Sequence, residues 1–275
     1  MPDLATADAA TSEAKGRTGE FFWYELMTSD SDAATAFYTK VVGWESSDMP
    51  MPGGDGRYTI MNAGGRGVGG MMQITEEMKA GGAVPAWLGY VHVADADAAA
   101  KAIGEAGGTV LMGPADIPDV GRFALVTDPG GAAFYVMAPF PRDDAPPPLA
   151  QYAPGNVGWH ELYAAAGEAA AIGFYGGLFG WTTAGAVDMG EMGTYRLFAT
   201  GGDEAVGGMM DKPAQMPAGA WQYYFNVDAI DAAAERVAAA GGKVVMGPME
   251  VPNGMWVLQG LDPQGAHFAL VAPHR

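Results

Sequence analysis

Two glutamates stand in near-identical surroundings, Trp23-Tyr24-Glu25-Leu26 and Trp159-His160-Glu161-Leu162. A carboxylate set among aromatic residues can act as a general base, hold a cation, or bond a neighbouring hydroxyl. Imidazoles are scarce: His92, His160, His267 and His274 are the four in 275 residues. Cysteine is absent, which excludes disulfides, thiolate nucleophiles and Cys-ligated zinc or iron–sulfur centres. No Gly-x-Ser-x-Gly elbow points to acyl transfer. The runs Gly64-Gly65-Arg66-Gly67 and Gly201-Gly202 do not open helices, so they read as hairpin turns rather than phosphate cradles.

The elements that must carry these residues follow from pattern. Phe21 to Thr28 alternates and is rich in aromatics, which predicts a strand with Phe21, Trp23, Glu25 and Met27 on one face. Ser29 and Asp32, at capping-box spacing, open a helix with Ala34, Phe37, Tyr38 and Val41 on its apolar side, and Gly43 ends it. The pattern restarts with a strand from Trp87 to Val93 and a helix capped by Asp95 that closes at Gly107-Gly108. The second half predicts strands at 158–164 and 221–227, a helix near 167–179, and a helix at 229–240 capped by Asp228.

The halves match phrase by phrase. Phe37-Tyr38 with Gly43-Trp44 returns as Phe174-Tyr175 with Gly180-Trp181. Val68-Gly69-Gly70-Met71-Met72 returns as Val206-Gly207-Gly208-Met209-Met210, and Asp128-Pro129 as Asp262-Pro263. A duplicated domain is the direct reading: residues 19–140 and 156–273, a proline-rich linker at 141–155, and a disordered tail at 1–18. Each domain reads as β-α-β-β-β written twice.

Four such units, with Phe37-Tyr38, Gly43-Trp44, Ala106-Gly107-Gly108 and Asp128-Pro129-Gly130-Gly131 mirrored in the second half, resemble the vicinal oxygen chelate superfamily. That group contains glyoxalase I, the bleomycin-resistance proteins and the extradiol dioxygenases, and the chain looks most like its tandem-domain bacterial members. The resemblance implies an α+β fold of two glyoxalase-like domains, each a curled mixed sheet around a cleft. It also implies a divalent metal, held by a His or Glu early in the first strand of a unit and a Glu late in its last. The matched first-strand positions hold Trp23, Leu88, Trp159 and Trp221, and the last-strand positions hold Tyr135 and Ala269. The last strands of the first and third units offer only Met72 and Met210. None of these is an ordinary ligand for a hard or borderline cation, so no metal and no other cofactor is expected.

Two readings of function remain. The first is a small-molecule binding protein taking an apolar, aromatic or cationic ligand. Its clefts would be lined by Trp23, Glu25, His92, Tyr135, Trp159, Trp221, Tyr223 and Phe225. The second is a lyase, isomerase or oxygenase of the same group, with Glu161 and His267 as an acid–base pair or displaced metal ligands. An interaction protein with vestigial clefts is a third. His160, matching Tyr24, should pack towards a helix. The net charge of -18 repels polyanions, so nucleic acid is a poor partner. No apolar run reaches the ~20 residues of a membrane span, and the leading residues lack a signal peptide's apolar core, so a cytoplasmic location is expected. The duplication can stand in for a dimer, which suggests a monomer or weak homodimer.

Overall fold

The computed structural model describes residues 18–51, 56–141 and 149–275. The expected tail up to residue 17, and residues 142–148 of the expected linker, lie outside the described residues. The first half runs β1 (Phe21–Thr28), α1 (Ser31–Val42), β2 (Glu45–Pro50), β3 (Arg57–Ala63) and β4 (Arg66–Gln73). A short α2 (Glu76–Ala80) precedes β5 (Ala86–His92), α3 (Ala96–Glu105), β6 (Thr109–Ile117), β7 (Gly121–Thr127) and β8 (Ala133–Pro139). The second half runs β9 (Val157–Ala164), α4 (Glu168–Phe179), β10 (Thr182–Asp188), β11 (Thr194–Ala199) and β12 (Gly207–Asp211). It continues with β13 (Ala220–Asn226), α5 (Ile230–Ala239), β14 (Lys243–Glu250), β15 (Trp256–Leu261) and β16 (His267–Ala272).

The strands form two open eight-stranded mixed sheets with the same order, β2-β3-β4-β1-β5-β8-β7-β6 and β10-β11-β12-β9-β13-β16-β15-β14. This is the α+β architecture of four β-α-β-β-β units. The parallel pairs are the ones joined through a helix, such as β1 with β4 (Glu25 opposite Gly70) and β13 with β16 (Tyr224 opposite Ala269). The hairpin-connected strands β2-β3-β4, β6-β7-β8, β10-β11-β12 and β14-β15-β16 pair antiparallel.

Within the predicted cap run, Asp30 caps α1, accepting from the Ala33 amide at 3.0 Å. Asp95 caps α3 in the same way at 2.9 Å, whereas α4 starts after Gly167 with no side-chain cap. In α5 the cap position is taken by Ala229, with no side-chain cap, so the expected cap Asp228 stands one residue too early. Asp228 instead pairs with Arg236 at 3.3 Å.

Contacts gather into two units that cut across the repeat. One comprises Trp23–Leu88, Asp144–Glu161 and Gln222–Arg275. In it, Tyr38 of α1 donates to Asp262 at 3.2 Å and accepts from the Trp87 indole at 2.8 Å, while the Trp44 indole donates to the Gly155 carbonyl at 2.7 Å. The other comprises, among the described residues, 18–22, 89–141 and 162–221. There Tyr175 of α4 donates to Asp128 at 3.2 Å and accepts from Trp221 at 3.0 Å, and Trp181 donates to the Gly19 carbonyl at 2.6 Å. The repeated Phe-Tyr, Gly-Trp and Asp-Pro phrases are therefore one device used twice. Each aromatic buries its ring, worth about 2 kcal/mol, and spends its polar tip on a bond that would otherwise be lost.

Both aspartates also close their own turns: Oδ1 of Asp128 accepts the amides of Gly130 and Ala132, and that of Asp262 those of Gln264 and Ala266. Burial raises both carboxyl pKa values, against the lowering effect of those amides and the tyrosines.

Candidate functional site

Trp159 and Glu161 arrive on β9, Gln222 and Tyr224 on β13, Gln259 on β15 and Ala269 on β16. Sheet register sets Tyr224 opposite Ala269, and Ala269 opposite Gln259. Alanine leaves the Tyr224 side chain room, and its hydroxyl donates to the Glu161 carboxylate in a short bond. The Gln259 amide nitrogen reaches the Tyr224 oxygen at 2.8 Å and the same Glu161 oxygen at 3.3 Å. Glu161 is only 6% exposed. Beside this triad lies an apolar cluster of Tyr224, Val257, Ala269 and Val271, against which Trp159, Val251 and Met255 pack. A buried carboxylate thus stands beside a buried apolar cluster flanked by the partly buried Trp159, Val251 and Met255.

Glu25, the twin of Glu161, is also 6% exposed. It accepts from Tyr58 at 3.0 Å, and the Trp23 indole donates to the same Tyr58 oxygen at 3.0 Å. Tyr58 comes from β3 and lies over Gly70, where a Cβ would fall 2.1 Å from the Tyr58 oxygen. Gly208 lies just as close under Tyr195 (2.2 Å), so the repeated Gly-Gly phrase makes room for a tyrosine ring.

Other expected residues stand elsewhere. Trp221, Tyr223 and Phe225 point away from Glu161. Trp221 bonds Tyr175, Tyr223 packs edge-on against Tyr24 and His160, and Phe225 packs against Tyr38, Trp44 and Trp87. The cause is the early placement of the α5 cap. Counting from Asp228 instead of Ala229 shifts the strand by one residue, and a one-residue shift moves every side chain to the other face. The residues on the Glu161 side are Gln222 and Tyr224, which sequence reading missed. The repeat contained the signal, since Trp87-Leu88-Gly89-Tyr90 aligns with Trp221-Gln222-Tyr223-Tyr224.

His267 is exposed at the start of β16, opposite Leu261, and no hydrogen bond or ion pair joins it to Glu161. His92 lies edge-on to Phe22 at 5.9 Å. Tyr135 stacks on Tyr90 with ring centroids 4.2 Å apart. His160 is buried against its own positional twin on a strand: its Nε2 lies 2.6 Å from the Tyr24 hydroxyl.

With the register corrected, the matched metal positions of the fourth unit are Gln222 and Ala269, beside Trp159 of the third. Glu161 already holds Tyr224 and Gln259. Among the described residues no group of three or more His, Asp or Glu is placed to hold a metal ion. This donor set does not fit a divalent-metal centre. An open groove lined by Ala106, Pro129, Gly173, Phe174 and Gly177 lies along α4, and its lining carries no ionisable group. No described helix is long and apolar enough to cross a membrane.

Known proteins supply the remaining context. CFP32 of Mycobacterium bovis, provisionally named a glyoxylase, is 34% identical over 94% of this chain and 96% of its own length. The anthracycline biosynthesis protein DnrV of Streptomyces peucetius is 34% identical over 90% of this chain and 91% of its own. A Mn(II)-bound glyoxalase from Novosphingobium aromaticivorans superposes with TM-score 0.61 at 17% identity, covering 94% of this chain and 83% of that one. A variant 4-hydroxymandelate synthase from Streptomyces coelicolor gives 0.62 at 13% identity, with 93% of each chain covered. These two structures share the fold. The family model matches residues 20–136 and 162–270, and on that match the chain belongs to the Glyoxalase/Bleomycin resistance protein/Dioxygenase superfamily.

Proposed function

We propose that this protein binds a small organic molecule without a metal, chiefly at the Trp159–Glu161–Tyr224 surface of its second half. One observation carries the reading: a carboxylate held by a tyrosine and a glutamine beside an apolar, aromatic cluster, with no group of metal ligands around it among the described residues. Such a mixture of apolar area and a few fixed polar groups is what small-molecule sites use. Trp23, Glu25 and Tyr58 offer a related surface in the first half. Relatives named for anthracycline biosynthesis support a small organic ligand. Acid–base chemistry by Glu161 and His267 receives no support from their placement. A melting-temperature screen against aromatic, neutral and cationic compounds, run with and without EDTA, tests the proposal. Stabilising hits unaffected by EDTA are expected. Hits that vanish in EDTA, or stoichiometric metal in protein purified without chelator, would overturn it.

A further inference from the structure

Gln222 is the residue that the triad leaves unexplained. It is 6% exposed, and its amide nitrogen is buried with no hydrogen-bond partner among the described residues. Leaving a buried donor unsatisfied is costly, and native structures rarely do so without a reason. Gln222 shares one face of β13 with Tyr224, two residues on. The twin position in the first half is Leu88, so the polar group is not demanded by the fold.

Resting on the binding function proposed above, the geometry points to Gln222 as the hydrogen-bond donor for the ligand, and to a flat, neutral molecule carrying a carbonyl oxygen. Three features narrow the class. The free group is a donor, so the ligand must present an acceptor. The neighbouring Glu161 carboxylate, already satisfied by Tyr224 and Gln259, repels an anionic acceptor such as a carboxylate or phosphate. The partly buried Trp159 and Met255 offer apolar contact to a flat body. The site selects by polarity: a ligand lacking the oxygen leaves the donor unpaired.

The test uses the full chain and two probes of one skeleton, 9-fluorenone and fluorene, followed by tryptophan fluorescence and calorimetry. The protein should bind fluorenone about tenfold more tightly than fluorene. Gln222→Leu, which installs the residue of the first half, should cost fluorenone about tenfold and leave fluorene unchanged. It should also raise the melting temperature of the free protein by about 3 °C, because the orphan donor is gone. Gln222→Met serves as the second variant if leucine packs badly. Equal binding of both probes, a preference that survives both substitutions, or lower melting temperatures in both variants would overturn the assignment to Gln222 while leaving the binding function standing. Failure of fluorenone to bind the unaltered protein would overturn this inference, while the compound screen above decides the binding function separately.

Discussion

Two rows of three residues, one in each sheet, show how far a duplicated scaffold can diverge. In the first half Tyr90, Tyr135 and Leu125 stand opposite one another on β5, β8 and β7. In the second, Tyr224, Ala269 and Gln259 occupy the same places on β13, β16 and β15. The backbone is common to both and the chemistry is not. Tyr135 covers Tyr90 with a ring 16° from parallel. Ala269 sets no ring against Tyr224, whose buried hydroxyl bonds Glu161 and Gln259. One ring fewer and one carboxamide more give the second half a tyrosine and a glutamine on its carboxylate, where Glu25 of the first half takes Tyr58 from β3. The helix-side cores changed far less, since each keeps its Tyr–Asp and Trp–carbonyl bonds.

The contrast can be broken most severely by Ala269→Tyr. The new ring should stack on Tyr224, strip the hydroxyl from Glu161 and fill the apolar surface, costing about 3 kcal/mol in urea unfolding. Binding of any screening hit should fall at least a hundredfold. Tyr224→Phe is the next largest, leaving Glu161 buried with one donor fewer at a cost of about 2 kcal/mol. A loss below about 0.5 kcal/mol would show that the carboxylate does not depend on this bond. Gln259→Leu, again borrowing from the first half, should cost about 1 kcal/mol.

The smallest effect concerns what the halves share. Burial raises the pKa values of Asp128 and Asp262 above the ordinary 3.8, so between the ordinary and raised values the folded state holds more protons than the unfolded one. Stability should therefore decline as pH rises through that window. Asp128→Asn and Asp262→Asn should each flatten the slope, and by similar amounts. A slope that vanishes with one substitution alone would mean that the two cores differ after all.

Legibility in the sequence varied by element, for physical reasons. Strand alternation, glycine stops and Asp caps are local signals, and they located β1, α1, β5 and α3 closely. The repeat exposed Glu25 and Glu161 as twins. The errors came where a local signal competes with a neighbour of the same kind. Asp228 looks like a helix cap and Ala229 does not, yet the helix starts after Ala229. Because strand faces alternate every residue, that single step exchanged Gln222 and Tyr224 for Trp221, Tyr223 and Phe225. His267 and Glu161 were joined by a face argument alone, which gives direction and not distance.

The amino-acid order by itself determined the duplication and the four β-α-β-β-β units. Residue type and short spacing are enough for those, since turns, caps and periodicity act over a few residues. Only the tertiary structure decided that Tyr224 and Gln259, 63 and 98 residues from Glu161, converge on it. It alone placed Tyr38 on Asp262, 224 residues away, and so built each contact unit from both halves. Such pairings depend on strand register and on which faces must be buried together, which chain-distant packing settles and local pattern cannot.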